Sequence, residues 1–126
     1  MTAPHPGKRV LQSYIDTINA NDLEGLLGLF AEDVEWEDPY GSPVRKGREA
    51  LREVYSPLIG SLNMTLDGPI RGSEGNRAAM AFSFEVEIDG KRFGATAIDV
   101  VSLNEAGLIT HFQAYWSPGD LEEIAS

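Results

Sequence analysis

The chain has 126 residues and carries 20 acidic against 10 basic side chains, a formal net charge of -10. Its length is that of one domain, which can bury roughly two-thirds of the surface of the unfolded chain. The acidic balance disfavours nucleic acid and anionic membrane surfaces as partners, since both attract clustered Lys and Arg. Cysteine is absent, which excludes disulfides and thiol chemistry. No apolar run has the length of a membrane span and the N-terminus lacks a signal peptide, so we expect a cytoplasmic protein.

The first half of the chain predicts three helices, a short strand and a loop. Residues 1–7, with two prolines and a glycine, are expected to be a loose lead-in to a single domain over 1–126. Residues 34–38 alternate between apolar and acidic side chains, which indicates a short strand that runs into a Pro- and Gly-rich loop at 38–43. Apolar side chains recur at helical spacing in three segments, predicted as helices: 8–20, 23–30 (capped by Asp22) and 47–59.

The second half predicts strands. Asp89-Gly90 is a two-residue hairpin signal between two long alternating runs. The region 64–70 is a weaker strand prediction because Gly68-Pro69 interrupts it. The predicted long strands are 77–88, 91–103 and 108–116, the last two separated by a turn at 104–107. Helices followed by an antiparallel meander indicate an α+β fold, with the helices on one face of a curved sheet that wraps an apolar pocket.

Asp99 is a lone carboxylate on an apolar strand face. Counted by twos along the strand, all its neighbours on that face are apolar: Phe93, Ala95, Ala97, Val101 and Leu103. Burial disfavours the charged form, so we expect a protonated acid, which is a hydrogen-bond donor. The alternatives are an error of register or a partner elsewhere in the chain.

Two more polar groups share the core register. Asp38 is in phase with Val34 and Trp36, although Asp before Pro is also an ordinary turn opener. Tyr14 lies on the apolar stripe of the first helix, where the default is a core tyrosine bonded to a backbone oxygen, and Tyr55 has the same default. Taken together, an inward base, a phenol and a neutral acid are what enolisation needs. The base removes a proton beside a carbonyl, and the donors stabilise the charge on its oxygen.

Other chemistries find little support in the sequence. The P-loop, GxGxxG, GxSxG and HExxH motifs are absent. Of the two histidines, His5 lies in the expected lead-in and His111 is predicted to face away from the pocket. The charges of the acidic run 32–38 fall on two strand faces, which favours a solvated edge over a cation site. We therefore expect no metal and no cofactor.

Ordered segments of the chain resemble the bacterial Δ5-3-ketosteroid isomerases. WEDPYGSP at 36–43, followed by GRE at 47–49, is similar to their base-bearing segment. AIDVV at 97–101 and QAYWS at 113–117 are similar to their two C-terminal strands. The resemblance spans nearly the whole chain. It implies the cone-shaped nuclear transport factor 2-like fold, in which three N-terminal helices pack on a curved, mostly antiparallel sheet that encloses an apolar pocket.

The resemblance also implies an activity, the transfer of a proton from C4 to C6 of a 3-oxo-Δ5 steroid. Asp38 matches the general base, and Tyr14 and Asp99 match the donors of the oxyanion hole. Other matching positions imply supporting roles: Tyr55 beside the phenol, the Trp116 indole beside the catalytic carboxylate, and Phe82 and Phe112 in the apolar wall. Phe30 stands where some members have a further tyrosine, which implies a shorter chain of phenols. Thr96 replaces an acidic residue of one relative.

The expected partners are a small apolar ketone as substrate and a second copy of the chain. The family commonly forms homodimers through the outer sheet face, where Ile98 and Val100 are predicted to lie opposite Asp99. Two other readings stay open. One is a polyketide cyclase or dehydratase-like enzyme on the same fold. The other is a non-catalytic carrier of steroids or small lipids, or an adaptor of the transport-factor type.

Overall fold

The N-terminal segment is tied to the sheet. The structure, a computed structural model, describes residues 5–124, so the first four residues of the expected lead-in lie outside it. For residues 5–7 that expectation is wrong, because helix α1 begins at Pro6. His5 caps this helix by accepting a hydrogen bond from the Gly7 amide at 3.0 Å. Its other ring nitrogen lies 2.9 Å from the carbonyl oxygen of Ser73.

The described residues form three α-helices, two of which are shorter than predicted: α1 Pro6–Asn19, α2 Leu23–Leu27 and α3 Arg48–Tyr55. A single 3-10 turn follows at Pro118–Asp120. Asp22 caps α2 as expected, with its carboxylate 2.9 Å from the Gly25 amide. The predicted extension of α2 to Phe30 is wrong, since Phe30 is the first residue of a strand. Helix α3 ends at Tyr55 because Pro57 has no amide proton with which to continue the helical ladder.

In the part of the chain that the structure describes, eight strands form one curved mixed sheet: β1 Phe30–Glu37, β2 Arg45–Lys46, β3 Asn63–Leu66, β4 Arg71–Ser73, β5 Arg77–Ile88, β6 Lys91–Leu103, β7 Ile109–Tyr115 and β8 Glu122–Glu123. The strand order is β2-β1-β7-β6-β5-β3, with β4 beside β5 and β8 beside β6. The β1–β7 pairing is parallel and the other pairings are antiparallel. The α+β architecture with a mostly antiparallel sheet is confirmed.

The β5–β6 hairpin is the best predicted part of the chain. Both strands have the predicted bounds, and their register is continuous from Arg77 opposite Ser102 to Ile88 opposite Lys91. Asp89-Gly90 makes the turn, with φ values of 52° and 80°. Such left-handed backbone is what a tight hairpin of this type requires. By contrast β3 ends at Leu66, before the Gly68-Pro69 interruption.

The core lies between the helices and the concave face of the sheet. It includes the apolar stripe of α1 and the inward residues of β5, among them Met80 and Phe82. Asn19, at the end of α1, accepts from the Met64 amide and donates to the Met64 carbonyl, both at 2.8 Å. This amide clamp joins α1 to β3 at the edge of the sheet. None of the helices described is long and apolar enough to cross a membrane.

Candidate active site

A cavity of about 180 Å³ opens between the helices and the sheet. Its polar lining is confined to a few side chains, and the rest of the wall is apolar. The residues that line it come from α1, α3, five strands and the loops between them: Tyr14, Trp36, Asp38, Val54, Tyr55, Leu58, Leu62, Met64, Phe82, Phe84, Val86, Ile88, Ala97, Asp99, Ala114, Trp116 and Leu121. An apolar enclosure with a few convergent polar groups is the usual form of a small-molecule site.

Asp38 lies at one side of this cavity, directly after the end of β1. Its loop is fastened to β7 by a hydrogen bond from the Tyr40 amide to the Ala114 carbonyl at 2.6 Å. The Trp116 indole donates to Oδ1 of Asp38 at 2.5 Å, and its ring packs edge-on against Phe84. Burial raises the pKa of Asp38 above its ordinary value, while the bond from Trp116 acts in the opposite direction.

Tyr14 and Tyr55 form a buried pair of phenols. Their hydroxyl oxygens are 2.7 Å apart, and the Trp36 indole donates to the Tyr55 oxygen at 3.1 Å. Burial is the main cause that raises the pKa of both phenols well above the ordinary value. The Tyr55 phenol and the carboxyl groups of Asp99 and Asp38 raise the pKa of Tyr14 further. Both phenols therefore stay protonated at neutral pH and can act as hydrogen-bond donors.

Asp99 points from the middle of β6 toward the helices, between Met80 of β5 and Ala114 of β7. It is 1% exposed, and its Oδ2 has no hydrogen-bond partner among the residues described. Burial, followed by the charge of Asp38, raises the pKa of Asp99 well above its ordinary value. The inward orientation predicted from strand alternation is confirmed. A neutral carboxyl at this position presents a proton without a protein acceptor.

The structure also locates the expected supporting residues. Tyr55, Phe82 and Trp116 line the cavity with the three principal groups, but Phe30 and Phe112 are not among the lining residues. Both are fully buried one layer behind the wall, where their rings pack 6.4 Å and 5.4 Å from the ring of Tyr14. The expectation that Phe112 forms part of the wall is therefore wrong.

Trp36 is a cavity residue that the sequence analysis did not single out. Its indole N–H reaches Tyr55 from β1, on the same strand face as Asp38. Trp36 thus adds a third hydrogen-bonding group to the Tyr14–Tyr55 pair. That Phe30 shortens the chain of phenols relative to the isomerases stays a prediction. The signal was available, since Trp36 is two residues before Asp38 and a buried Trp needs a partner for its N–H.

The acidic and histidine side chains of the described residues lie mostly apart from one another. Among residues 5–124, no group of three His, Asp or Glu side chains is placed to hold a metal ion. His111 faces outward from β7, as predicted, 3.5 Å from the carboxylate of Glu35. Of the acidic residues of β1, Glu32, Asp33 and Glu35 are exposed and Glu37 is half-buried, so most of their charges lie at the surface.

The fold, with its apolar cavity between the helices and the sheet, defines the class of protein, a nuclear transport factor 2-like α+β domain. The family model of the SnoaL-like domain matches residues 11–112, and the chain belongs to that family. In solved structures it is similar to RV0760c from Mycobacterium tuberculosis, with a TM-score of 0.87 and 27% identity over 98% of this chain and 99% of that one. RV0760c has also been solved in complex with estradiol-17beta-hemisuccinate, at a TM-score of 0.86 and 28% identity over 94% and 99%.

Two relatives carry named activities. The steroid Delta-isomerase of Nocardioides simplex is 32% identical over 116 residues, which is 90% of this chain and 92% of the relative. The epoxide hydrolase LasB of Streptomyces lasalocidi is 28% identical over 90% of this chain, which spans about half of that protein, 48% of its length. The family thus includes relatives with different chemistries.

Proposed function

We propose that the protein is a steroid Δ5-to-Δ4 isomerase. The observation that carries the proposal is a carboxyl oxygen of Asp99 that is buried and has no partner within residues 5–124, on the same apolar cavity as Tyr14 and Asp38. A carrier of apolar ligands gains nothing from an unpaired buried polar group, which costs about 1–3 kcal/mol. A developing oxyanion would give that group the partner it lacks. The similarity to a steroid Delta-isomerase over most of both chains supports the same reading.

In the proposed reaction, ionised Asp38 removes a proton from C4 of a 3-oxo-Δ5 steroid. The C–H electron pair becomes the C3–C4 double bond, and the carbonyl π pair moves onto the oxygen. Tyr14 and protonated Asp99 donate hydrogen bonds to that oxyanion. Asp38 then returns the proton at C6. The C5–C6 π pair forms the new C6–H bond, the C3–C4 π pair becomes the C4–C5 double bond, and an oxygen lone pair re-forms the carbonyl. The transfer of one proton needs no cofactor.

The cavity supports a substrate that is apolar away from its ketone. Its wall beyond the three principal groups is aliphatic or aromatic, for example Leu58, Val86 and Leu121. The steroid complex of RV0760c, which shares this fold, supports a ligand of that shape. The homodimer expected from the resemblance and the cytoplasmic location expected from the sequence stay predictions.

The test is the growth of conjugated-enone absorbance from 5-androstene-3,17-dione. We expect wild type to turn over and Asp38→Asn to be slower by at least about a hundred-fold, since a positioned base contributes roughly that much or more. The matched control is Asp33→Asn, which removes an exposed carboxylate of β1, the strand that ends directly before Asp38, and should leave the rate unchanged. A wild type without turnover, or an Asp38→Asn variant as fast as wild type, contradicts the proposal.

An epoxide hydrolase or cyclase activity is the second candidate, favoured by the similarity to LasB. Here neutral Asp99 would give its proton to an epoxide oxygen as the C–O bond breaks. Asp38 would take a proton from the water or hydroxyl that attacks the carbon. An epoxide offered beside the steroid ketone separates the two activities. Tight steroid binding without turnover of either substrate would favour a carrier.

A further inference from the structure

Three buried side chains form a hydrogen-bonded line that ends at the cavity. The Trp36 indole N–H meets the Tyr55 oxygen at 3.1 Å, and the Tyr55 and Tyr14 oxygens are 2.7 Å apart. Their exposed fractions are 5%, 2% and 3%. An indole N–H can only donate, so the direction of the first bond is fixed. The direction of the second bond determines which phenol offers its proton to a ligand.

The bond from Trp36 favours one direction. An oxygen that already accepts a hydrogen bond becomes a stronger donor through its own O–H and a weaker acceptor for another. The favoured direction is donation from Tyr55 to Tyr14, since either hydroxyl could donate by distance alone. In that arrangement the Tyr14 proton has no other protein acceptor among the contacts described. In the reverse arrangement Tyr14 would donate its proton to Tyr55 and could not offer it to a ligand.

The position of the Trp36 ring does not depend on its N–H. The ring stacks on Phe112, its neighbour across the β1–β7 pairing, with centroids 6.0 Å apart and planes at 13°. It also meets the edge of the Tyr55 ring at 5.9 Å. Packing and hydrogen bonding can therefore be separated by a substitution that keeps the ring and removes only the N–H.

We propose that Trp36 is a positioning residue, whose indole N–H polarises Tyr55 so that Tyr14 directs its proton toward an anionic oxygen in the cavity. The inference rests on the proposed function for its catalytic meaning. It goes beyond that function in assigning the orientation of Tyr14 to a residue of β1 that does not itself touch the oxyanion. The effect requires only that an oxyanion can bind, so it can be measured without turnover.

The experiment follows the two indole N–H signals of a ¹⁵N-labelled protein, which has two tryptophans. Titration with substituted naphthols of increasing acidity should shift the Trp36 signal in a graded way, because charge on the ligand is felt through Tyr14 and Tyr55. Trp36→Phe assigns that signal by removing it. Tyr14→Phe should abolish the graded shift. A residue that only packs would show no dependence on ligand acidity.

Affinity measurements complete the test. Replacing Trp36 with 3-benzothienylalanine, which has sulfur in place of the N–H, should weaken naphthol binding about five-fold, the worth of one hydrogen bond. Phe112→Leu removes the stacking partner but keeps the N–H and should preserve the graded shift. An ungraded shift, unchanged affinity of the benzothienyl variant, or absence of naphthol binding to wild type overturns the proposal. A larger loss of naphthol affinity in Tyr55→Phe than in Tyr14→Phe also overturns the proposal. A graded shift without steroid turnover would support the positioning role of Trp36 and contradict the proposed isomerase activity.

Discussion

Replacing Asp99 with asparagine should change how the stability of the protein depends on pH. Asp99 is 1% exposed, and burial raises its pKa well above that of the same group in the unfolded chain. Such a group makes its full contribution to stability below its pKa in the unfolded chain, about 3.9. That contribution is lost as the pH rises through its pKa in the folded protein. Asparagine has nearly the same shape and no ionisation, so it removes this dependence.

The magnitude follows from the release of a single proton. Between the two pKa values the unfolded chain has released the Asp99 proton and the folded chain has not. The free energy of unfolding of wild type therefore falls by about 1.4 kcal/mol per pH unit relative to Asp99→Asn. The raised pKa of Asp38 adds a slope of the same sign, but it adds it to both proteins. The difference between them isolates Asp99.

Urea unfolding followed by tryptophan fluorescence measures this difference at several values from about pH 4 upward. We expect the advantage of Asp99→Asn over wild type to grow with pH until the folded pKa is passed. Asp33→Asn, on the exposed face of β1, serves as the control and should show no growing difference. Curves for wild type and Asp99→Asn that stay parallel across the range would refute a buried, protonated Asp99.

Two further results are expected. Trp116→Phe removes the N–H that lowers the pKa of Asp38, so the rise of kcat/KM with pH should move to higher pH. A pH–rate profile from about pH 4 to 8 measures the midpoint of that rise. An unmoved midpoint would contradict an effect of the Trp116 hydrogen bond on Asp38. Asn19→Ala removes both hydrogen bonds to Met64 and leaves the Met64 amide and carbonyl without their side-chain partner, so urea unfolding should show a free energy of unfolding lower by about 1–3 kcal/mol. Asn63→Ala, at the exposed start of β3, should lower it by less.

The elements that could be predicted from the sequence are those with a strong local pattern. The β5–β6 hairpin was predicted to the residue because a long alternation meets a turn whose residues favour left-handed backbone. Phe30 was assigned to a helix because both a 3.6-residue and a two-residue period place it inward, and only the packed structure decides between them. Strands β2 and β8, of two residues each, are too short for any periodicity to show.

The candidate site was predictable in part for the same reason. Asp99 stood out because a carboxylate interrupts an otherwise apolar face, and its burial confirms that reading. Trp36 did not stand out, because inward-facing tryptophans are common in strands. Its hydrogen-bond partner, Tyr55, is 19 residues away in the sequence. The displacement of Phe112 behind Tyr14 depends on how the first helix crosses the sheet, which no pattern within one segment encodes.

The parallel pairing of β1 with β7 has a consequence for the order in which the molecule is assembled. The two strands are adjacent and point the same way, so their ends bring together Asp38 and Trp116, which are 78 positions apart in the sequence. Contacts between such distant segments form slowly, because a long loop must close before they contribute. During synthesis on the ribosome, Asp38 would therefore emerge long before the strand that fastens its loop. The Asp38 carboxylate acquires its surroundings only after Trp116 has been made.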